Sequence, residues 1–285
     1  TASVKGPLSV ARFGLAATGN ASFGYFAGGA PGPYSTVDRI DYSNDTATMS
    51  SRGPLSAARR YMGATGNSSF GYFGGDLPAT STVDRINYSN DTGTTPSKGP
   101  LSVTRYALAA TGNADFGYFA GGNSPSLIST VDRIDYSNDT ATASVKGPLS
   151  VARFGLAATG NASFGYFGGG HPGPKSTIDR IDYSNDTATA PARGPLSAAR
   201  RYLGATGNAS FGYFGGGAPG FKSTVDRIDY SNDTATASTK GPLSLARQEL
   251  AASGNASFGY FGGGEASSSG RSTVDRIDYS NDTAT

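Results

Sequence analysis

The segment Ser35-Thr36-Val37-Asp38-Arg39-Ile40-Asp41-Tyr42-Ser43-Asn44-Asp45-Thr46 occurs six times along the chain, with small changes such as Asn87 and Ile178. Each copy follows an aromatic segment, first seen as Phe23-Gly24-Tyr25-Phe26, and a Gly-Pro-Leu-Ser segment, first seen at residues 6–9. An arginine follows that second segment at intervals of 46 to 48 residues, at Arg12, Arg59, Arg105, Arg153, Arg200 and Arg247. Self-similarity at such a period indicates a repeat architecture.

Each copy is divided by turn residues into four short apolar segments, and none of them has a helical period. In the first copy we predict strands over about residues 13–18, 22–27, 36–42 and 46–51, with Gly19-Asn20 and Ser43-Asn44-Asp45 as turns. Six units of four strands predict an all-β fold, a six-bladed β-propeller of four-stranded antiparallel blades. We expect one domain over residues 1–285, with repeats at about 1–47, 48–93, 94–141, 142–188, 189–235 and 236–285.

The two chain ends predict how the ring closes. The last copy stops at Asn281-Asp282-Thr283-Ala284-Thr285, whereas the same turn in the third copy leads into a strand over residues 142–146. Residues 1–5 repeat that strand, so we expect the N-terminal strand to complete the last blade and hide its edge. Copies one to three also resemble copies four to six, which indicates duplication of a three-blade unit of about 141 residues.

The composition of the chain argues against several classes of function. The net charge is +2 with both signs interspersed, which argues against a nucleic-acid surface, and the absence of Cys removes thiol chemistry. No apolar run is long enough for membrane insertion. With two glutamates and one histidine, acid–base groups are scarce, so we expect no enzyme activity, no catalytic residues and no cofactor. Asp41, Asn44 and Asp45 are interpreted as turn residues, and we expect no metal site.

The order of features resembles the kelch repeat. A double glycine follows an aromatic strand (Gly28-Gly29), the third strand ends in Asp41-Tyr42, and Arg12 precedes the inner strand, although Ala or Thr stands where the kelch tryptophan would be. The resemblance covers essentially the whole chain. It implies a propeller whose binding face surrounds the channel opening, with the arginine matching Arg12 directed towards acidic ligands. The repeat is also similar to tandem repeats in structural proteins of marine bacteriophages, which implies a virion or extracellular location.

Differences between the copies are concentrated in two places, which the meander brings to one face of the disc. One is the loop after the double glycine, and the other is the residue pair after the repeat arginine. The candidate ligand-binding residues are therefore the six repeat arginines together with Phe13, Tyr34, Arg60, Tyr61, Tyr106, Phe154, His171, Lys175, Arg201, Phe221, Lys222, Gln248 and Arg271. Two interpretations of the arginines remain: they hold an acidic or hydroxyl-rich ligand, or they bond carbonyls and carboxylates inside the scaffold.

Three functional hypotheses follow. The first is a non-enzymatic module that binds carbohydrate or another polar surface ligand, as in host recognition by a phage virion. The second is a kelch-type domain that binds acidic peptides, and the third is a symmetric structural or engineered scaffold without a ligand. In each case we expect a monomer or a part of a larger polypeptide.

Overall fold

A computed structural model describes residues 2–283 and shows six antiparallel sheets arranged as blades around a central axis. Each blade is a meander in which the inner strand pairs with the second and the second with the third, and in four of the six blades the third strand also pairs with an outer strand. The six-bladed, all-β prediction is therefore confirmed.

The strands recur at equivalent positions in each copy. The inner strands are Ala16–Gly19, Gly63–Gly66, Ala109–Gly112, Ala157–Gly160, Gly204–Gly207 and Ala251–Gly254. The second strands are Phe23–Ala27, Phe70–Gly74, Phe116–Ala120, Phe164–Gly168, Phe211–Gly215 and Phe258–Gly262. The third strands are Val37–Asp41, Val83–Asn87, Val131–Asp135, Ile178–Asp182, Val225–Asp229 and Val274–Asp278. The outer strands are Ser3–Lys5, Ser50–Arg52, Ser144–Lys146 and Ser238–Lys240, and a short hairpin of Glu265–Ala266 and Ser269–Gly270 lies in the sixth copy.

Between residues 2 and 283, the helical content is limited to single turns of 3-10 helix after third strands. These turns are Tyr136–Asn138, Tyr183–Asn185, Tyr230–Asn232 and Tyr279–Asn281. No helix in the described part of the chain has the length and apolarity needed to cross a membrane.

The core lies between blades, which explains why the second strand does not alternate between apolar and polar residues. Tyr25 and Phe26 point to opposite faces of their sheet, yet both are completely buried, because a neighbouring blade covers each face. Tyr25 stacks on Tyr88 of the next blade at 4.9 Å, and the other five junctions contain an equivalent tyrosine pair. The repeating aromatic supply therefore holds the ring together.

Ring closure follows the prediction for residues 2–5, while Thr1 lies outside the described residues. Ser3–Lys5 pairs antiparallel with the third strand of the sixth copy, with Val4 opposite Asp275. Asp45, in the first copy, accepts hydrogen bonds from Tyr260 at 2.9 Å and Arg276 at 2.8 Å, both in the sixth copy. The two ends are thus joined by strand pairing and by a charged contact between neighbouring blades.

Three details differ from the predicted strands. In the first copy the outer strand is Ser50–Arg52 rather than about residues 46–51, because residues 42–47 form turns and bends after the third strand. The second and fourth blades have three-stranded sheets, because Pro96 and Pro191 occupy the first position of the outer strand and proline has no N–H for the ladder. The outer segment there is reduced to single bridges between Asp84 and Ser97 and between Asp179 and Ala192. The first inner strand begins at Ala16 rather than near Phe13, because Phe13 pairs instead with Ala30 in the variable loop.

Candidate functional site

The six repeat arginines are buried, with at most 2% of each residue exposed. Each forms an ion pair with the aspartate of its own third strand, at nitrogen–oxygen distances of 2.6 to 3.2 Å. The pairs are Arg12–Asp38, Arg59–Asp84, Arg105–Asp132, Arg153–Asp179, Arg200–Asp226 and Arg247–Asp275.

Arg105 shows why these side chains cannot hold a ligand. Its guanidinium donates to the Asp132 carboxylate at 2.7 Å and to the carbonyl oxygens of Gly121 and Thr130 at 3.2 and 3.0 Å. Removal from water lowers the pKa of the buried arginine, and the adjacent carboxylate partly offsets this effect. The expectation that Arg12, Arg59, Arg105, Arg153, Arg200 and Arg247 face an acidic ligand is therefore corrected: in this fold they bond the scaffold.

The two variable sets do come together. Phe13 pairs with Ala30, Tyr106 with Asn123, Phe154 with His171, Arg201 with Ala218 and Gln248 with Glu265, each as an isolated antiparallel bridge. In five of the six copies the residue after the repeat arginine is thereby held against the start of the loop after the double glycine, and in the second copy the Arg60 amide donates to Asp76 Oδ1 at 3.0 Å instead. We call this side of the ring the mouth face.

A closed ring of backbone hydrogen bonds surrounds the axis on the mouth face. In each copy the amide of the second residue after the repeat arginine donates to the carbonyl of the same residue in the preceding copy, at 2.7 to 2.9 Å. The six ring residues are Gly14, Tyr61, Ala107, Gly155, Tyr202 and Glu249. All six have positive φ, between 53° and 64°. The backbone is thus equivalent in every blade, and only the side chains distinguish the positions.

The axial space below this ring is small. A cavity of about 70 Å³ is lined by the ring residues and by the aliphatic residue after each of them, such as Leu15 and Met62. A water molecule needs roughly 10–15 Å³ of such volume, so the cavity holds a few waters or one small projecting group. A larger ligand must lie across the mouth rather than inside the channel.

Tyr61 and Glu249 meet across Gly14. The tyrosine hydroxyl donates to Glu249 Oε2 at 2.8 Å. A Cβ on Gly14 would lie 2.9 Å from Tyr61 Cε1, so the glycine leaves the space that the ring occupies. Burial raises the pKa of Glu249 to about 7, with a further contribution from Glu265, while the Tyr61 hydrogen bond opposes this shift.

Tyr202 is the counterpart of Tyr61 in the second half of the chain and lies over Gly155 in the same way. Here the next ring position is Ala107 rather than glutamate. Within residues 2–283, the Tyr202 hydroxyl has no hydrogen-bond partner. Tyr106 OH accepts from the Asn123 side-chain amide at 2.8 Å, so the Tyr61 and Tyr106 hydroxyls are engaged and the Tyr202 hydroxyl is available to a ligand.

An aromatic and basic cluster lies beside Tyr202. The Phe154 ring contacts His171 edge-on at 4.9 Å between centroids and lies 6.2 Å from Tyr202 and 6.4 Å from Tyr106. Arg201 donates to His171 Nδ1 at 2.7 Å and lies 5.6 Å from the Tyr202 ring centroid. We call Tyr106, Phe154, His171, Arg201 and Tyr202 the mouth cluster. All five are half-buried, as side chains at a binding surface would be.

The remaining predicted residues surround this cluster. Arg60 is half-buried and donates to the carbonyl oxygens of Leu77 and Pro31, each at 3.4 Å. Gln248 donates to Glu265 at 2.7 Å. Tyr34, Lys175, Lys222 and Arg271 pair through their backbones with the repeat arginine of the following blade, and Phe221 is exposed. These four residues and Phe221 therefore lie further from the axis than the ring residues.

Sequence reasoning left two residues of the mouth out of the candidate set. Glu249 was identifiable as one of only two glutamates, at a position that is glycine in copies one and four. Tyr202 was identifiable as the duplicate of Tyr61. Within residues 2–283, no three histidine, cysteine or acidic side chains are grouped as metal ligands.

Comparisons with known proteins establish the fold alone. No protein-family model matches the chain, and no curated protein matches it. Among solved structures, the chain resembles the structure of YjhT with a TM-score of 0.80 and 13% sequence identity, over 98% of each chain. At this identity the likeness concerns architecture. The protein is therefore a six-bladed β-propeller, a fold that is consistent with a binding module.

Proposed function

We propose that the chain is a non-enzymatic binding module that recognises carbohydrate or another hydroxyl-rich ligand on the mouth face. The observation that supports this most strongly is the asymmetry of an otherwise repetitive ring. Its backbone is equivalent in all six blades, whereas the side chains differ and include an available hydroxyl at Tyr202 and a carboxyl group at Glu249. Packing of equivalent blades does not require different side chains at these positions, whereas recognition of a ligand does.

The chemistry of the mouth cluster suits a sugar. Sugar rings combine apolar C–H faces with hydroxyl groups, and aromatic side chains with few polar partners provide both kinds of contact. Tyr106 and Phe154 offer rings, and Tyr202 offers a hydroxyl that no residue of the described chain uses. The shallow axial cavity would accept one exocyclic group of a ligand lying across the mouth.

We propose a binding role rather than catalysis because the acid–base groups of the mouth are already engaged. Tyr61 bonds Glu249, Gln248 bonds Glu265, and Arg201 bonds His171. Host recognition by a phage virion agrees with the second sequence resemblance, and a kelch relationship agrees with the order of features in each repeat.

An acidic peptide is the second candidate ligand. Its support comes from cations outside the buried ion pairs, namely Arg60, Lys175, Arg201, Lys222 and Arg271 on the loops of this face. Binding through such half-exposed cations would weaken with salt, whereas stacking and neutral hydrogen bonds would change little. Salt dependence therefore separates the two ligand classes.

The experiment is binding of the purified chain to a glycan array at low and physiological salt, repeated with Tyr202→Phe and with the matched control Tyr61→Phe. We expect binding to a related set of glycans, weakened about tenfold by Tyr202→Phe, because a lost hydrogen bond to a ligand is worth about 1 kcal/mol or somewhat more. Tyr61→Phe is expected to change stability more than binding, since that hydroxyl is already bonded to Glu249. Replacing Arg60, Tyr106 and Arg201 together by alanine should abolish binding.

If the chain binds no glycan on the array at either salt concentration, the carbohydrate proposal is contradicted. Binding of acidic peptides that disappears with salt would then favour the peptide-binding alternative. An absence of both would favour a scaffold without a ligand, which the near identity of the six copies also fits.

A further inference from the structure

Open grooves lie between blades on the face opposite the mouth. One groove, between the second and third blades, has a volume of about 450 Å³, and another, between the fourth and fifth blades, about 420 Å³. Both exceed the axial cavity of about 70 Å³ and fall within the range of small-molecule sites. We call these spaces the inter-blade grooves.

The groove between the second and third blades combines apolar and polar groups. It is lined by Phe70 and Phe116 and by polar residues that include Asn67, Ser69, Ser137 and two carboxylates, Asp115 and Asp135. The Asn67 amide donates to the Ala114 carbonyl at 3.3 Å and so connects the two blades at this point. The groove is therefore part of the blade junction itself and is held by its contacts.

Asp135 has one engaged and one available oxygen. Oδ1 accepts hydrogen bonds from the Ser137 amide at 2.9 Å and the Ser137 hydroxyl at 2.6 Å. These bonds lower the pKa of Asp135 below its ordinary value, so the group is charged at neutral pH. Within residues 2–283, no hydrogen bond of ordinary length reaches Oδ2. Asp229 has the same two bonds from Ser231 in the groove between the fourth and fifth blades.

The phenylalanine rings are fixed in place beside this carboxylate. The Arg85 guanidinium lies 4.3 Å from the Phe70 ring centroid, and Arg133 lies at the same distance from Phe116. Both rings are half-buried and line the groove. Each of the two guanidinium groups is also paired with an aspartate of the following blade.

We propose that the inter-blade grooves are binding sites for neutral monosaccharide units, separate from the mouth face. A carboxylate with a free oxygen accepts from sugar hydroxyls, and the phenylalanine rings meet the apolar side of the sugar. The carboxylate recurs in the other copies as Asp41, Asp182 and Asp278, whereas the second copy has Asn87. Several weak sites on one face would act together on a surface that carries many sugars.

Asn87 provides the control that a test needs. Its side-chain oxygen accepts from the Ser89 amide at 3.0 Å and the Ser89 hydroxyl at 2.8 Å, so asparagine supports the same turn without a charge. Replacing Asp41, Asp135, Asp182, Asp229 and Asp278 together by asparagine should therefore keep the turns and remove this carboxylate from five copies. Asp115 remains in the groove between the second and third blades, so the groove between the fourth and fifth blades, where Asp229 is the one carboxylate among the described residues of the lining, gives the cleaner comparison. The reverse variant, Asn87→Asp, should supply it to the remaining groove.

The experiment is an NMR titration of the ¹⁵N-labelled full chain with glucose, galactose, mannose and N-acetylglucosamine, and with lysine methyl ester as a cationic comparison. We expect at least one neutral sugar to shift the amide signals of the turns after the third strands, including those of Ser137 and Ser231. The five-site asparagine variant should remain folded at the temperature of the titration and bind about tenfold more weakly or worse. Asn87→Asp should extend the shifts to Ser89.

Three results would overturn the proposal. They are no shift with any of the four sugars at tens of millimolar, shifts confined to the mouth face, and equal affinity of the asparagine variant and the parent chain. A response to the lysine ester alone would identify a cation site instead. Because the mouth is tested by Tyr202→Phe, failure at either face is distinguishable from failure at the other.

Discussion

The Tyr61 hydroxyl lies 2.8 Å from Glu249 Oε2, so a side chain of the second copy is bonded to one of the sixth across the glycine of the first. The duplicated half contains the same tyrosine over the same glycine, but Ala107 stands where the glutamate would be. One residue therefore breaks the approximate two-fold symmetry at the axis. That residue is Glu249, a titratable side chain in a half-buried position.

Glu249 should make stability depend on pH near neutrality. Its pKa is about 7 in the folded chain against an ordinary 4.5, so the folded state favours the protonated form. The resulting stabilisation is complete below about pH 4.5 and is lost as pH rises through about 7, with a total of about 3 kcal/mol. In denaturant unfolding, the free energy of the parent relative to Glu249→Gln should fall over this pH interval. A constant difference between pH 4.5 and 8 would contradict the prediction.

Replacing Gly14 even by alanine should lower the stability of the fold. Positive φ alone cannot account for this, because Ala107 adopts a φ of 53° at the equivalent position. The added Cβ would instead meet the Tyr61 ring at 2.9 Å. We expect Gly14→Ala to cost about 1–3 kcal/mol of unfolding free energy.

Two comparisons isolate the cause of that cost. In a Tyr61→Ala background the cost of Gly14→Ala should fall to that of alanine at positive φ, because the clash is removed. Gly173→Ala should show only the cost of alanine at positive φ, since Gly173 has a φ of 61° and nothing lies within 4 Å of its added Cβ. Equal costs for Gly14→Ala in the two backgrounds would show that backbone strain dominates.

The buried ion pairs should matter for stability rather than for ligand binding. Arg105 and Asp132 lie 2.7 Å apart with both side chains completely buried, so Arg105→Ala leaves a buried carboxylate without its charged partner. We expect a loss of about 3–5 kcal/mol in unfolding free energy. The matched control is Thr104→Ala, which alters the exposed neighbour. An Arg105→Ala variant of parental stability that loses ligand affinity would restore the ligand-binding interpretation of the repeat arginines.

Much of the fold was predictable because it depends on local signals that recur. Glycine, asparagine and aspartate determine the turns. Because the pattern occurs six times, a strand that is ambiguous in one copy can be assigned from the other five. The inner-strand boundary was wrong because Phe13 pairs with a loop residue some distance along the chain, which no local pattern reveals. The shortened outer segments at Pro96 and Pro191 follow from a local rule about proline, so they could have been predicted.

The site was less predictable for a physical reason. An arginine repeated in every blade is compatible with a ligand contact or with a scaffold contact, and only the position of Asp38 beside Arg12 decides between them. The sequence does reveal where the copies differ, and those positions lie together on the mouth face. It does not reveal that the Tyr61 hydroxyl is engaged and the Tyr202 hydroxyl is available, because this depends on the identity of a residue two blades away.

Removal of residues 1–8 should open the ring. This segment provides the outer strand Ser3–Lys5, a Lys5–Asp45 ion pair at 3.3 Å and the buried Leu8, so its loss exposes the third strand of the last blade. Burial of one leucine is worth about 1.5–3 kcal/mol and each ladder hydrogen bond about 1 kcal/mol, so a loss of roughly 4 kcal/mol or more is expected. Ser3→Pro is the control, because Pro96 occupies the equivalent position in the second copy, and it should cost only about 1 kcal/mol. If the truncated chain unfolds at the same denaturant midpoint as the parent, the N-terminal strand does not close the ring.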